Sequence, residues 1–317
     1  MLQRTEMSRG SETLGAPLGA RYEVDGRRLL LHRSGSGGPS VVFLPGAGLV
    51  GLDFLNVHDQ VSAVTTSVLY DRAGTGWSDQ VNLPRSAGEV AGELHALLRA
   101  ADIPAPYLLV GHSLGAAYAR RYAQQYPDEV AGLLFLEPFY EGLEAQGPKL
   151  TVGATLWTVF AALRVAVQVK PFYRRMFGQM LADWPESVRR PLVDYHVRAL
   201  RRTMQERKNL FSEVEAELRE GGQLPDVPVI VLASMGIDPF MAALMPVAQL
   251  RELNSRKAAL FRPLVDSVPR GEYREVEGAG HSTLHTDRPD AVVQAIRDLL
   301  DRVNPRASYR GGAADAH

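Results

Sequence analysis

The chain has 317 residues and no cysteine, and its 35 Lys and Arg nearly balance 36 Asp and Glu, for a formal net charge of −1. This balance gives no electrostatic reason for nucleic acid or an anionic membrane as the main partner. The lack of thiols excludes disulfides, cysteine nucleophiles and cysteine-ligated metal sites. An apolar fraction of 45% argues against a disordered chain.

The two ends of the chain are predicted to be disordered. Residues 1–20 are polar and lack the apolar core of a signal peptide, and residues 305–317 form a polar tail. No run of 18 apolar residues exists to span a bilayer. We therefore expect a cytoplasmic protein without stable membrane insertion.

Between these ends, short apolar runs alternate with helical patterns. This alternation predicts an α/β fold with a mostly parallel central sheet and helices on both faces. The first two runs lack an intervening helix, so we expect the sheet to start antiparallel. The predicted strands are residues 28–32, 40–44, 65–70, 107–110, 132–136, 228–232 and 272–276, and the clearest helices are 86–101, 116–125 and 290–303.

The segment 139–222 interrupts the alternation. It contains helical stretches but no convincing strand, and it is too long for a simple connection. We interpret it as a helical cap over the sheet edge where α/β proteins bind ligands. The core is then predicted to comprise residues 21–138 and 223–304.

The sharpest motif is Gly-His-Ser-Leu-Gly at 111–115, a G-x-S-x-G pattern directly after a predicted strand and before a helix. A sharp strand-to-helix turn strains its central residue and crowds the flanking positions, which Gly111 and Gly115 relieve. The turn would present Ser113 as a nucleophile. Without the preceding strand and the following helix, a serine between two glycines would indicate only a helix cap, not a nucleophile.

A serine nucleophile needs a base, usually histidine. His281 is the best of the eight histidines because it follows the last predicted strand in a glycine-containing loop, at the sheet end where Ser113 should lie. His112 adjoins the nucleophile but should point away from it. His285 lies four residues after His281, but no H-E-x-x-H pattern supports a metal site, and we expect neither metal nor cofactor.

These features resemble the α/β-hydrolase fold superfamily over residues 21–303, and within it the small capped esterase-like hydrolases. The stretch Tyr-Asp-Arg-Ala-Gly-Thr-Gly-Trp-Ser-Asp at 70–79 is similar to a D-R-x-G-x-G-x-S segment of many members. The resemblance implies a backbone oxyanion hole formed by the N–H groups of Leu114 and Ala47. Many members have His-Gly where this chain has Pro45-Gly46, which leaves the orientation of that loop open.

The resemblance also implies an acid that orients His281, and two positions compete for this role. Glu137 directly follows its strand, whereas Asp238 lies in a longer loop after the next strand. We favour Glu137 and keep Asp238 as the alternative.

Together these features predict a serine hydrolase that cleaves an ester or lactone of a small, hydrophobic molecule through an acyl-enzyme. A serine at position 113 argues against haloalkane dehalogenases and epoxide hydrolases, which use a carboxylate nucleophile. A cofactor-free perhydrolase or haloperoxidase, an interfacial lipase and a non-enzymatic binding protein or receptor remain alternatives. The oligomeric state stays open.

Overall fold

A computed structural model describes residues 15–139 and 169–304, in which eight strands form one sheet. The strand order is β1-β2-β4-β3-β5-β6-β7-β8. The pairs β1–β2 and β2–β4 are antiparallel, and the other neighbours are parallel. The strands are β1 (Ala20–Val24), β2 (Arg27–Ser34), β3 (Ser40–Leu44), β4 (Ser67–Tyr70), β5 (Tyr107–His112), β6 (Val130–Leu136), β7 (Val229–Ser234) and β8 (Gly271–Val276).

Helices connect the strands and form the described part of the inserted segment. The helix α2 shows the local cause of a helix start, because Ser86 Oγ accepts the Glu89 N–H and Glu89 in turn accepts the Ser86 N–H. The helices are α1 (Leu55–Ser62), α2 (Ala87–Ala100), α3 (Leu114–Gln125), α4 (Val169–Met180), α5 (Glu186–Glu206), α6 (Glu215–Glu220), α7 (Pro239–Ala242), α8 (Val247–Asp266), α9 (Leu284–Asp287) and α10 (Pro289–Val303).

The core has two apolar layers because successive strand residues point to opposite faces of the sheet. In β3, Val42 and Leu44 pack on one face with α2, α3 and α8, while Val41 and Phe43 pack on the other with α1 and α10. Both faces of the central strands are buried, as their continuous apolar character predicts.

Buried polar contacts attach the inserted helices to the core. Trp184 Nε1 donates to the Leu52 carbonyl at 2.8 Å. His196 Nε2 lies 2.9 Å from Asp53 Oδ1, with both side chains buried. These contacts join α5 and the turn before it to the loop that follows β3. The domain boundaries 139–222 for a cap stay a prediction, because residues 140–168 lie outside the described part.

The predicted fold class is confirmed, and each predicted strand overlaps a strand of the sheet. The antiparallel start arises differently from expectation: β2 pairs with β1 and β4, whereas β3 lies parallel between β4 and β5. Sequence analysis missed β1, an edge strand in which only Val24 is buried. Of the expected disordered leader 1–20, residues 15–20 lie in the described part, where Ala16 and Leu18 pack on the core, and residues 1–14 and the expected tail 305–317 lie outside it.

Every helix in residues 15–139 and 169–304 is too short or too polar to be a candidate bilayer span.

Candidate active site

The predicted site residues follow four adjacent parallel strands. Ser113 follows β5, Glu137 follows β6, Asp238 lies beyond β7 and His281 lies beyond β8. Parallel strands end at one edge of a sheet, so residues that are far apart in sequence meet there.

Ser113 occupies a strained turn between β5 and α3. Its φ of 51° and ψ of −117° lie outside the regions that non-glycine residues ordinarily adopt. A Cβ at Gly111 would lie 2.5 Å from Ala116 Cα, and one at Gly115 would lie 1.9 Å from the Leu44 carbonyl oxygen. Neither position accommodates a side chain, so the glycines of the motif are required by the packing of this turn.

Three side chains form a continuous hydrogen-bonded chain at the sheet edge. Ser113 Oγ lies 3.2 Å from His281 Nε2, and His281 Nδ1 lies 3.1 Å from Glu137 Oε2. The His281 side chain is 35% exposed, whereas that of Glu137 is 2% exposed. The imidazole is therefore accessible from outside, while the carboxylate that it contacts is screened from water.

Glu137 is held in an unusual environment. Its φ of 49° is in the left-handed region, and its Oε1 accepts the Ser234 N–H at 2.5 Å. The Lys257 ammonium lies 2.9 Å from its Oε2. Burial opposes ionisation of the carboxyl, but the hydrogen bond from His281 and the charge of Lys257 outweigh it and lower the pKa of Glu137 to about 2. Glu137 is thus an anion throughout the neutral range.

Asp238 has a different environment. Its Oδ1 accepts the Met241 N–H at 2.7 Å at the start of α7, and its Oδ2 accepts the Ser282 N–H at 2.5 Å. A Cβ at Gly280 would lie 2.4 Å from Asp238 Cα, so the two loops are in contact. The carboxylate fixes the loop that carries His281 through its backbone, next to the imidazole.

Two further histidines lie behind His281. His112 Nε2 is 2.8 Å from the His281 carbonyl oxygen, and the His285 ring stacks on Phe54 with centroids 4.2 Å apart. Burial lowers the pKa of His112 to about 4 and that of His285 well below its usual value. His112 Nδ1 and both His285 nitrogens have no hydrogen-bond partner among the described residues. Both imidazoles are therefore neutral at pH 7.

The buried His285 predicts a pH-dependent stability. The unfolded chain binds a proton at His285 as the pH falls below about 6.5, and the folded chain does not. The contribution of His285 to the unfolding free energy is therefore fully present above that pH and is lost progressively below it. His285→Leu should remove this contribution. Relative to wild type, we expect the variant to gain about 2 kcal/mol in unfolding free energy between pH 7 and pH 5. Urea unfolding at both pH values measures this gain. If the unfolding free energies of the two proteins changed equally with pH, His285 would be protonated in the folded state.

The loop 45–48 lies against the first turn of α3 and carries Ala47 between two glycines. Arg72 fastens it by donating to the Pro45 carbonyl at 2.6 Å and to the Gly46 carbonyl at 3.0 Å. Leu114 is the first residue of α3, so its N–H has no partner within the helix. The loop and the start of α3 therefore lie side by side, since a Cβ at Gly115 would come within 2.6 Å of the Pro45 carbonyl oxygen.

Glu206 at the end of α5 completes this arrangement. Its Oε1 accepts Arg72 Nη2 at 2.7 Å, and its Oε2 accepts the Gly48 N–H at 2.8 Å. Both charged side chains are buried. The inserted segment therefore contributes a carboxylate that holds the loop beside the candidate nucleophile.

Sequence analysis did not identify Lys257, Arg72 or Glu206 as parts of the site. Arg72 lies in the D-R-x-G-x-G-x-S stretch, for which the sequence predicts no role. Lys257 carries a weak signal, because it is one of only four lysines beside 31 arginines and lies on a mostly apolar helix face. Glu206 carries no signal in the sequence, because its partners Arg72 and Gly48 lie in distant segments.

Across residues 15–139 and 169–304, no three His, Asp or Glu side chains are grouped so that they could hold a metal ion.

Comparison with known proteins places these features in context. A model of the alpha/beta hydrolase family matches residues 41–295. The bovine (lyso)-N-acylphosphatidylethanolamine lipase is 26% identical over 80% of this chain and 77% of its own length. The uncharacterized Bacillus subtilis protein YqjL is 35% identical over 37% of this chain, and the match spans 47% of YqjL.

A solved structure shares the fold at low sequence identity. The epoxide hydrolase CorEH aligns with a TM-score of 0.66 and 18% identity, covering 90% of this chain and 98% of CorEH.

Proposed function

The chain belongs to the alpha/beta hydrolase family, and we propose that it is a serine hydrolase that cleaves carboxylic esters or lactones. The observation that carries the proposal is the hydrogen-bonded chain from Ser113 through His281 to Glu137. A hydroxyl, an imidazole and a buried carboxylate in this order are the groups that acyl transfer requires.

In the proposed reaction, Ser113 Oγ attacks the substrate carbonyl carbon while His281 Nε2 takes the hydroxyl proton. Negative charge develops on the carbonyl oxygen, and the N–H groups of Leu114 and Ala47 stabilise it. The His281 imidazolium then gives its proton to the departing alcohol, which leaves an acyl group on Ser113. Water, deprotonated by His281, attacks this ester, and collapse of the intermediate releases the acid and returns the proton to Ser113.

Glu137 supports both proton transfers without being protonated itself. Its Oε2 accepts the His281 Nδ1–H, which keeps Nε2 free to act as the base, and its charge stabilises the imidazolium. A pKa of about 2 keeps the Glu137 carboxylate ionised through the neutral and mildly acidic range.

Aromatic residues near Ser113 favour an apolar group on the substrate. The Phe139 N–H donates to the Ser113 carbonyl at 3.1 Å, and the Phe139 ring meets Phe211 edge-on at 5.4 Å. Beyond Asp238, Phe240 packs on Phe177 at 5.2 Å. These rings would bind a hydrocarbon part of the substrate.

An epoxide hydrolase function is less compatible with this site than ester cleavage. CorEH is similar in fold at 18% identity, which supports no shared activity. Epoxide hydrolases use a carboxylate nucleophile, and this chain has Ser113 at the elbow.

A p-nitrophenyl ester series of increasing acyl length tests the proposal. We expect hydrolysis with a burst of p-nitrophenol, since an acyl-enzyme accumulates when deacylation is slower than acylation. A serine-reactive organophosphonate should label the protein once, at Ser113, and chelators should leave the activity unchanged. A rate that rises at the substrate's solubility limit would instead favour an interfacial lipase, and a binding protein would show neither burst nor labelling.

A further inference from the structure

Lys257 lies beside the candidate catalytic acid but belongs to a separate element, α8. Its Nζ is 2.9 Å from Glu137 Oε2 and 3.0 Å from Glu137 Oε1. It also donates to the Ser234 hydroxyl at 3.0 Å and to the Ser234 carbonyl. The Lys257 side chain is only 11% exposed, so its hydrogen-bonding groups are satisfied by protein.

A buried ammonium is costly unless a partner compensates its lost hydration. Here the compensating charge is that of Glu137, and the same Oε2 atom also accepts the His281 Nδ1–H at 3.1 Å. The lysine therefore acts on the oxygen that orients the imidazole. A change at Lys257 would be transmitted to His281 through one shared atom.

We propose that Lys257 is a positioning residue of the triad, which holds the Glu137 carboxylate in place and compensates its charge, so that loss of Lys257 favours protonation of the His281–Glu137 pair. This inference rests on the proposed function. With Lys257 present, the carboxylate and the ammonium together carry no net charge. Without it, an uncompensated anion adjoins the imidazole, and the His281–Glu137 pair binds a proton at higher pH.

The other groups that face His281 would not produce this effect. His112, whose ring centroid is 5.3 Å from that of His281, is neutral because burial lowers its pKa to about 4. Asp238 contacts the loop through the Ser282 N–H, and Ser113 contributes only its hydroxyl. A substitution at Lys257 leaves all three unchanged.

The test is the pH profile of kcat/KM for a p-nitrophenyl ester in Lys257→Gln, with the rate of organophosphonate labelling as a second readout that needs no turnover. We expect the acidic limb of both profiles to move up by about one to two pH units, because the substitution removes a unit positive charge that contacts the partner of His281. At pH values below the limb, this shift corresponds to a loss of about 10- to 100-fold in kcat/KM and in the labelling rate. Lys208→Gln makes the same change at an exposed position of the chain and should not move the limb.

A folded Lys257→Gln protein with an unmoved acidic limb would overturn the role of Lys257 and leave the proposed function intact. A wild-type protein that neither hydrolyses esters nor is labelled would overturn both. Should Lys257→Gln fail to fold, the double variant Lys257→Gln/Glu137→Gln tests the pairing, because it also removes the Glu137 charge that Lys257 compensates. Recovery of folding would support the pairing, and a second failure would show that Lys257 serves packing alone.

Discussion

Ser113→Ala should lower kcat for ester hydrolysis by on the order of 10⁴–10⁶, because it removes the atom that forms the covalent intermediate. Folding should be unaffected. The strained φ of 51° is equally unfavourable for alanine and for serine, and the hydroxyl contributes one hydrogen bond at a partly exposed position. Parallel measurements of the acyl-length series and of urea unfolding on both proteins check the two expectations.

The residual activity of this variant is also informative. An oxyanion hole formed by Leu114 and Ala47 would still stabilise attack by water, so a slow rate above background is compatible with the mechanism. Hydrolysis within tenfold of wild type, or organophosphonate labelling that persists in the variant, would remove Ser113 from the reaction.

Glu137→Gln should cost about 10²–10⁴ in kcat, the range expected when a carboxylate that orients a catalytic histidine becomes an amide. The amide has no charge to stabilise the His281 imidazolium, and its NH₂ group cannot accept the Nδ1–H. The substitution also deprives Lys257 of its counter-ion, so unfolding should be measured alongside the kinetics to separate lost stability from lost catalysis.

Asp238→Asn is the matched control, because it makes the same chemical change at the other candidate acid. The asparagine oxygen can still accept one of the two N–H groups that Asp238 binds, those of Met241 and Ser282. We expect a loss of less than about tenfold in kcat. If Asp238→Asn cost more than Glu137→Gln, the assignment of the acid would be reversed while the roles of Ser113 and His281 remained.

The acid illustrates the limit of sequence reasoning. Glu137 and Asp238 both follow strands at the correct end of the sheet, and the sequence favours Glu137 only by its position directly at a strand end, its longer side chain and the long loop around Asp238. The structure places Glu137 3.1 Å from His281 Nδ1 and turns Asp238 toward backbone N–H groups. That difference depends on the direction of side chains in two loops, which no local pattern encodes.

The sequence by itself determined the fold class and the location of the candidate site. Apolar runs alternating with helical periodicity require a parallel sheet, and a glycine-flanked serine between strand and helix requires a sharp turn, because both are consequences of local backbone sterics and burial. Only the tertiary structure brought Lys257 to Glu137, and Arg72 and Glu206 to the loop before α1. Packing brings the partners of these buried charges together from segments more than a hundred residues apart, so the pairs Lys257–Glu137 and Arg72–Glu206 leave no periodic trace in the sequence.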